Sequence, residues 1–315
     1  MSETRNVAIV GAGTMGHALA QVFAAHGCTV RLADDRPEAL PRALGMIRAN
    51  LETLVEAGRM PAAGVAPTLA RIHPTPRLEE AAAAADLAIE AVVEDRAVKQ
   101  AVFAVLDREC PPHAILASNT SYLNIFEFLD TGRPGQVVIT HWFAPPHIIP
   151  LVEIVCGPAT SPETATALER LFTAMGKKPV VIRRFLPGFI ANRLQSALTQ
   201  EALFLLDNGY ATAEQIDEAA KNSFALRTPI LGLVKRFDYA GLDLTRKILS
   251  NRQYAPPQVI ERSPAIERLV EAGRLGVKTG GGFYDYGGRT PEDLARERDR
   301  KLLRIVGLLE EMGEI

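Results

Sequence analysis

Short runs of aliphatic and β-branched residues alternate with stretches of helical periodicity through the first part of the chain. This alternation predicts βαβ units on a parallel, doubly wound sheet that helices cover on both faces. The predicted strands are Asn6–Val10, Thr29–Ala33, Leu87–Ala91, Ala114–Ala117, Val137–Thr140, Leu151–Val155 and Pro179–Ile182.

The pattern changes after Leu186-Pro187-Gly188, where strand-like runs give way to long helical spacing. An all-α second domain is therefore expected, with a division into residues 1–185 and 186–315. The apolar positions that begin it are Ile190, Leu194, Leu198, Ala202, Leu205 and Leu206.

Two helix starts in this second part have recognisable caps. Thr212-Ala-Glu-Gln215 fits a capping box, and Thr290-Pro291-Glu292 places a capping residue before proline and an acid. The second start predicts a tail helix to about Met312, whose apolar stripe must pack on its own domain or on a partner subunit. The stripe consists of Leu302, Ile305, Val306 and Leu309.

Length and composition agree with two ordinary globular domains. The chain has 315 residues, of which 47% are hydrophobic and 23% charged, which excludes a disordered or collagen-like protein. A membrane span and a signal peptide are not expected, so the predicted location is the cytoplasm. The 35 basic and 37 acidic residues nearly cancel, which argues against nucleic acid or a membrane surface as the main partner.

Cysteine and histidine usage favours neither a disulfide framework nor a metal site. Cys28, Cys110 and Cys156 are odd in number and widely spaced, as expected of buried free thiols. Four of the six histidines are scattered singly, so no metal is expected. They are His17, His26, His73 and His113.

The strongest local motif is Gly11-Ala-Gly13-Thr14-Met15-Gly16, which follows the first predicted strand and opens a helix. Glycines at this spacing allow a tight turn, backbone approach to a pyrophosphate and close helix packing. Asp34, 23 residues after Gly11 at the end of the second strand, would hydrogen-bond a ribose hydroxyl and repel a 2′-phosphate. The motif predicts NAD as cofactor. Two alternatives stay open, since Arg36 would suit NADP and the two acids at 34 and 35 would suit helix caps.

Three further polar segments follow predicted strands, where ligands of open α/β sheets bind. They are Ala117–Ser121, His141–Glu153 and Pro187–Arg193. With the glycine motif and the closing Lys278–Tyr284 segment, they resemble the 3-hydroxyacyl-CoA dehydrogenase family over nearly the whole chain. That resemblance implies a Rossmann domain, NAD and a dimer formed through the helical domain.

His141 is the candidate acid-base group, because oxidising an alcohol with NAD needs a base for the hydroxyl proton. Glu153, at the family's 12-residue spacing, would orient the imidazole and stabilise its charged form. By resemblance Ser121 and Asn192 would hold the reacting oxygen. Their alternatives are a helix cap for Ser121 and a buried structural amide for Asn192, and His147 is interpreted as a pocket-wall residue.

The resemblance also implies a set of cofactor-binding residues. For Glu94 and Lys99 the alternative is a solvated ion pair at helical spacing. The set is Gly11, Gly13, Thr14, Met15, Gly16, Asp34, Glu94, Lys99, Asn119 and Lys278.

The sequence departs from the family where the substrate would lie. The usual Phe-Asn-Pro after the histidine is replaced by Trp142-Phe143-Ala144, and the stretch 36–59 has four arginines and no lysine for a CoA phosphate. A 3-hydroxyacyl-CoA such as 3-hydroxybutyryl-CoA, and with it fatty-acid metabolism, is the first hypothesis.

A free acid is the second hypothesis, because Arg227 resembles a basic residue of gulonate dehydrogenase and the lambda-crystallins and could bind a carboxylate. This hypothesis includes gulonate, carnitine and a pyridine-carboxylate alcohol or aldehyde. The 145–150 loop and Ser250-Asn-Arg252 resemble the branch that acts on the pyridine compound. A non-catalytic NAD-binding structural protein is the hypothesis from another class.

Overall fold

The computed structural model describes residues 4–251 and 255–315. They form two compact units, one up to Asn192 and one from Arg193. The predicted boundary between residues 185 and 186 stays a prediction. Arg252, which belongs to one of the segments discussed above, lies outside the described residues.

The first unit contains one eight-stranded sheet. Its strand order is β3-β2-β1-β4-β5-β6-β7-β8, and the first six positions follow the doubly wound dinucleotide-binding pattern. The strands are β1 (Asn6–Val10), β2 (Thr29–Ala33), β3 (Ile72–Thr75), β4 (Leu87–Glu90), β5 (Ile115–Ser118), β6 (Val137–Trp142), β7 (Leu151–Cys156) and β8 (Lys178–Ile182).

Helices cover both faces of this sheet, which confirms the predicted layers. Along β1, Ile9 packs with the helices of one face, while Ala8 and Val10 pack with those of the other. The alternation follows from the two-residue side-chain period of a strand. The helices are α1 (Gly16–Ala25), α2 (Ala39–Glu56), α3 (Val65–Ala70), α4 (Leu78–Ala82), α5 (Arg96–Glu109) and α6 (Pro162–Ala174).

Two details of the sheet differ from the prediction. Strand β7 runs antiparallel to β6, because the loop 143–150 is too short for the crossover that a parallel neighbour needs. Strand β3 was not predicted, since it is short, contains Pro74 and exposes His73. It lies at the edge of the sheet, where a proline removes no necessary hydrogen bond.

The second unit is helical, as predicted, and the described residues contain no strand of it beyond isolated bridges near Gly281. Thr212 and Gln215 form the predicted capping box, and Thr290 caps α13. Of the predicted stripe on α13, Leu302, Val306 and Leu309 are half-buried and Ile305 is 53% exposed, so the stripe is only partly covered. The helices are α7 (Ala191–Asp207, beginning in the first unit), α8 (Ala213–Lys221), α9 (Phe224–Leu231), α10 (Lys235–Ala240), α11 (Leu242–Ser250), α12 (Pro264–Glu271) and α13 (Pro291–Glu311).

All three cysteines are buried free thiols. Of the helices in the described part of the chain, none is long and apolar enough to cross a bilayer.

Candidate active site

The glycine turn between β1 and α1 is fixed by close packing. Gly11 has φ +97°, and a Cβ on it would lie 2.7 Å from the carbonyl oxygen of Ala91. A Cβ on Gly16 would lie 1.7 Å from the carbonyl oxygen of Gly11. Gly13 meets nothing within 4 Å, which leaves the open space that a pyrophosphate needs beside the backbone.

The helix that follows this turn is suited to an anion. Thr14 and Met15 lead into α1, whose first turn contains no acidic residue. A helix N-terminus offers unpaired N–H groups and a partial positive charge to phosphate. Together with the open space at Gly13, this end of α1 fits a dinucleotide.

Asp34 lies at the carboxyl end of β2 and is held as an anion. Its Oδ2 accepts a hydrogen bond from the Ala12 N–H at 2.8 Å. Its Oδ1 accepts from the N–H of Arg36 at 3.0 Å and from Nε of Arg36 at 3.3 Å. Burial alone would raise the pKa of Asp34, but these donors outweigh it, and the pKa lies below its ordinary value. Since α2 begins after Glu38, neither acid caps that helix, and the Arg36 side chain is paired with the acid that repels a 2′-phosphate.

The register of β6 and β7 places His141 directly opposite Glu153. Nδ1 of His141 lies 2.8 Å from Oε2 of Glu153, and the two residues are 3% and 1% exposed. An ionised carboxylate at this position holds the proton on Nδ1, which leaves Nε2 to accept a proton from a substrate. The strand pairing itself therefore brings the two residues of the predicted acid-base pair together.

The connection between β8 and α7 binds the other carboxylate oxygen of Glu153. Its Oε1 accepts hydrogen bonds from the N–H groups of Ile190 and Ala191, both at 2.9 Å. Phe189 precedes them with φ 52°, a conformation that costs about 1–3 kcal/mol for a residue other than glycine. Burial raises the pKa of Glu153, yet these donors and His141 lower it below its ordinary value. Asn192 follows directly, in the first turn of α7.

Aromatic rings surround the imidazole of His141. The ring of Phe143 lies 4.5 Å away between centroids and that of Phe189 lies 5.2 Å away, both edge to face. Phe185 packs in turn against Phe189 at 5.9 Å. These rings keep water from the pair, which strengthens its electrostatic interaction.

Glu94 organises the turn that carries Ser121. Its Oε1 accepts hydrogen bonds from the Thr120 hydroxyl at 2.5 Å and from the N–H groups of Ser121 at 3.0 Å and Tyr122 at 3.1 Å. Burial raises the pKa of Glu94, but the Thr120 hydroxyl, the Lys99 ammonium and the Tyr122 N–H together bring it below its ordinary value. The structure thus shows Glu94 positioning the turn, and its predicted contact with the cofactor stays a prediction.

Lys99 is 1% exposed and lies between two carboxylates. Its Nζ is 2.6 Å from Oε1 of Glu90 and 3.2 Å from Oε2 of Glu94. The alternative of a solvated pair at Glu94 and Lys99 is therefore wrong. Glu90, which also accepts from the Ser118 hydroxyl at 2.7 Å, was missed by sequence reasoning. The signal for it was an acid inside the otherwise apolar strand β4.

Asn119 connects β5 to β6 beside the acid-base pair. Its Oδ1 accepts a hydrogen bond from the Trp142 N–H at 3.0 Å. His147 lies in the loop 143–150, between β6 and β7, and is half-buried. Lys278 and the exposed Arg227 belong to the second unit, so their predicted roles, like those of Ser121 and Asn192, stay predictions.

The doubly wound sheet, the open glycine turn and the buried His141–Glu153 pair fit the class of dinucleotide-binding oxidoreductases. The family model described as the NAD-binding domain of 3-hydroxyacyl-CoA dehydrogenase matches residues 6–185, and the model of its C-terminal domain matches residues 188–286. The chain belongs to the 3-hydroxyacyl-CoA dehydrogenase family. It is an NAD-dependent oxidoreductase that acts on CH–OH groups, and its cofactor is NAD.

Relatives of two kinds resemble the chain. A probable 3-hydroxybutyryl-CoA dehydrogenase of Bacillus subtilis is 38% identical over 91% of this chain and 99% of its own. The 5-formyl-3-hydroxy-2-methylpyridine 4-carboxylate 5-dehydrogenase of Mesorhizobium japonicum is 33% identical over 97% and 98%. A crystal structure of a 5-dehydrogenase for that pyridine acid, described as an NAD+-dependent dismutase, has a TM-score of 0.88 at 31% identity, covering 98% of this chain and 99% of its own. The (S)-3-hydroxybutyryl-CoA dehydrogenase of Ralstonia eutropha has a TM-score of 0.70 at the same 31% identity, covering 90% and 100%.

Replacing Glu153 with glutamine tests the acid-base pair. The amide removes the negative charge and can donate to Nδ1, which favours the tautomer with its proton on Nε2. We expect kcat to fall by about 10²–10⁴-fold, while His141→Ala should reduce it by several powers of ten. Steady-state rates of NADH formation measure both effects.

Calorimetric titration with NAD is the control for these two variants, and binding should match that of the unchanged protein. A Glu153→Gln variant that folds, binds NAD and keeps full turnover would contradict the assignment.

Asp34→Ala tests cofactor discrimination. The substitution removes a carboxylate that repels a 2′-phosphate and frees Arg36 to bind one. We expect the ratio of NADP to NAD dissociation constants to fall by about tenfold or more, since a hydrogen bond to a charged group contributes about 1.5–3 kcal/mol. The exposed neighbour Asp35 provides the matched control, and an equal change in Asp35→Ala would assign the effect to net charge alone.

Proposed function

We propose that the chain oxidises a small aromatic carboxylate that bears an alcohol or aldehyde, the kind of substrate named for the pyridine-carboxylate dehydrogenases. One comparison carries the proposal. At an equal 31% identity, the pyridine-acid enzyme has a TM-score of 0.88 and the 3-hydroxybutyryl-CoA enzyme 0.70. The two enzymes are thus equally similar to this chain in sequence, but the structure of the free-acid enzyme matches that of the chain much more closely.

The segment after His141 supports the same substrate class. Phe143 packs against the imidazole at 4.5 Å, and Ala144 follows it where the family usually has proline after asparagine. This leaves an apolar ring beside the reacting group, which favours a planar aromatic substrate.

His141 would take the hydroxyl proton through Nε2, and Glu153 would stabilise the imidazolium that results. Ser121 and Asn192 would donate hydrogen bonds to the substrate oxygen. When bound, NAD supplies the acceptor for the hydride. An aldehyde reaches the same chemistry through its hydrate, because the hydrate presents a hydroxyl and a hydrogen on one carbon. Loss of the proton and the hydride then leaves a carboxylic acid.

The second candidate substrate is a 3-hydroxyacyl-CoA, which is the first hypothesis from the sequence. This substrate would assign the chain to fatty-acid metabolism. It is supported by the 38% identity to the probable 3-hydroxybutyryl-CoA dehydrogenase over 91% of the chain. The buried acid-base pair serves this substrate equally well, since the reaction at the hydroxyl carbon is the same. The two candidates differ only in what binds the rest of the substrate.

A panel assay distinguishes them, with NADH formation followed for pyridine-carboxylate aldehydes and alcohols, gulonate and carnitine, and NADH consumption for acetoacetyl-CoA. We expect the highest kcat/KM with a pyridine carboxylate. Arg227→Ala should raise KM for that compound by about tenfold or more, the equivalent of about 1.4 kcal/mol, and leave acetoacetyl-CoA unaffected.

Arg246→Ala, which removes another exposed arginine of the second unit, is the matched control for Arg227→Ala. Highest activity with acetoacetyl-CoA, together with no effect of Arg227→Ala, would overturn the free-acid proposal and favour the second candidate.

We further infer a homodimer formed through the second unit. Large apolar side chains on α10 and α11 are exposed, including Tyr239 at 71% and Leu249 at 80%. Apolar surface of this extent on neighbouring helices is typical of a subunit interface. The expected cytoplasmic location stays a prediction, and the three free thiols are compatible with a reducing compartment.

Sedimentation velocity tests the dimer. The unchanged protein should sediment at twice the mass of one chain, and Leu249→Lys should shift it toward the monomer because a charge would be buried at the contact. Glu267→Lys, a charge change on α12, is the control. Sedimentation of the unchanged protein as a monomer at high concentration would refute the inference.

A further inference from the structure

A single lysine is buried beside the active-site edge of the sheet without a carboxylate partner. Lys177 directly precedes β8 and is 7% exposed. Its Nζ donates to the carbonyl oxygens of Pro146 at 2.5 Å and Ile149 at 3.1 Å. It also lies 5.8 Å from the centre of the Trp142 ring. No ion pair to it is found among the described residues.

The stability of the folded protein does not explain why the ammonium of Lys177 is buried. Burial lowers the pKa of Lys177 to about 8, so the folded protein holds the charge less favourably than water does. A lysine pKa that is lower in the folded state than in the unfolded state reduces stability at neutral pH, and the loss disappears as pH rises past both values. An apolar side chain of the same length would avoid that cost.

The partners of Lys177 indicate what the charge does. Both carbonyl groups belong to the loop 143–150, which begins two residues after His141 and ends directly before β7. The first side chain of this loop, Phe143, packs on the imidazole. Trp142, the other contact of Lys177, is the neighbour of His141 in β6. The ammonium therefore contacts the loop at its middle and near its end, and contacts β6 at its last residue.

We propose that Lys177 is a positioning residue of the active site, whose buried ammonium fixes the loop 143–150, and with it the ring of Phe143 beside His141, in the conformation that receives the substrate. Lys177 touches neither the imidazole nor Glu153 and acts through the loop. Only the kinetic part of the proposal rests on the proposed function. The local structure is tested without a substrate.

Other titratable groups face this region and need separate controls. His147 lies within the loop, and His141 and Glu153 are paired on β6 and β7. Lys178, the neighbour of Lys177 in the chain, is exposed. Lys178→Met therefore removes a charge one residue away and keeps the backbone hydrogen bond from residue 178 to the carbonyl oxygen of Pro150. His147→Gln removes the one imidazole in the loop.

Tryptophan emission gives a test that needs no ligand, because Trp142 is the only tryptophan of the chain. In the apo protein we expect an emission transition on raising the pH, with a midpoint near the Lys177 pKa of about 8. Lys177→Met should abolish it, whereas Lys178→Met and His147→Gln should keep it. A transition that persists in Lys177→Met would overturn the assignment of the charge to this site.

Kinetics with the most active compound of the panel test the positioning role. Lys177→Met should raise KM about tenfold, equivalent to about 1.4 kcal/mol, while kcat changes less and the melting temperature stays within a few degrees. In the unchanged enzyme KM should rise as pH passes about 8. A KM in Lys177→Met equal to that in Lys178→Met would refute the role. If no panel compound reacts, the substrate proposal fails while the emission test still decides the local one.

Discussion

The carboxylate of Glu153 connects the sheet, the helix that follows it and the imidazole of His141. An ionised acid inside a protein costs several kcal/mol unless donors surround it, and here the imidazole of His141 and two backbone N–H groups supply them. Because those N–H groups belong to the connection between β8 and α7, their hydrogen bonds hold this connection against the carboxylate. The positive φ of Phe189 is the local strain that this arrangement carries, and the fully buried ring of the same residue packs on the imidazole.

The negative charge of a second buried acid, Glu90, is compensated in a different way. Glu90 is paired with the ammonium of Lys99, so its charge is neutralised and the surrounding turn is fixed. Glu153 has neutral N–H donors and a titratable imidazole, so its charge is still available when His141 becomes protonated. The Lys99–Glu90 pair thus stabilises local structure, whereas in the proposed mechanism Glu153 would stabilise the charge that appears on His141 during the reaction.

The layers of the first unit and the helical character of the second could be predicted from periodicity, since buried parallel strands and amphipathic helices leave clear patterns. The contact between His141 and Glu153 could be predicted from their motif and spacing, while their acid-base role stays a prediction. Strand β3 could not be predicted, because Pro74 and an exposed histidine interrupt any apolar alternation. The burial of Lys99 and Lys177 was also beyond sequence reasoning, as a lysine looks the same in sequence whether it binds a ligand, a carboxylate or a loop. Which of these a lysine binds depends on the groups that the fold places around its side chain.

The reversal of β7 explains why the histidine and the glutamate are twelve residues apart. In an antiparallel pair the positions of opposite residues have a constant sum, so His141 opposite Glu153 implies Trp142 opposite Val152. A residue inserted into the loop 143–150 leaves His141 opposite Glu153 if the loop absorbs it, and changes the pairing if β7 instead shifts along β6. A shift of one residue turns the glutamate to the other face of the sheet. The contact between His141 and Glu153 therefore depends on the register of β6 and β7, and the loop 143–150 has to preserve that register while its side chains form the surroundings of the imidazole.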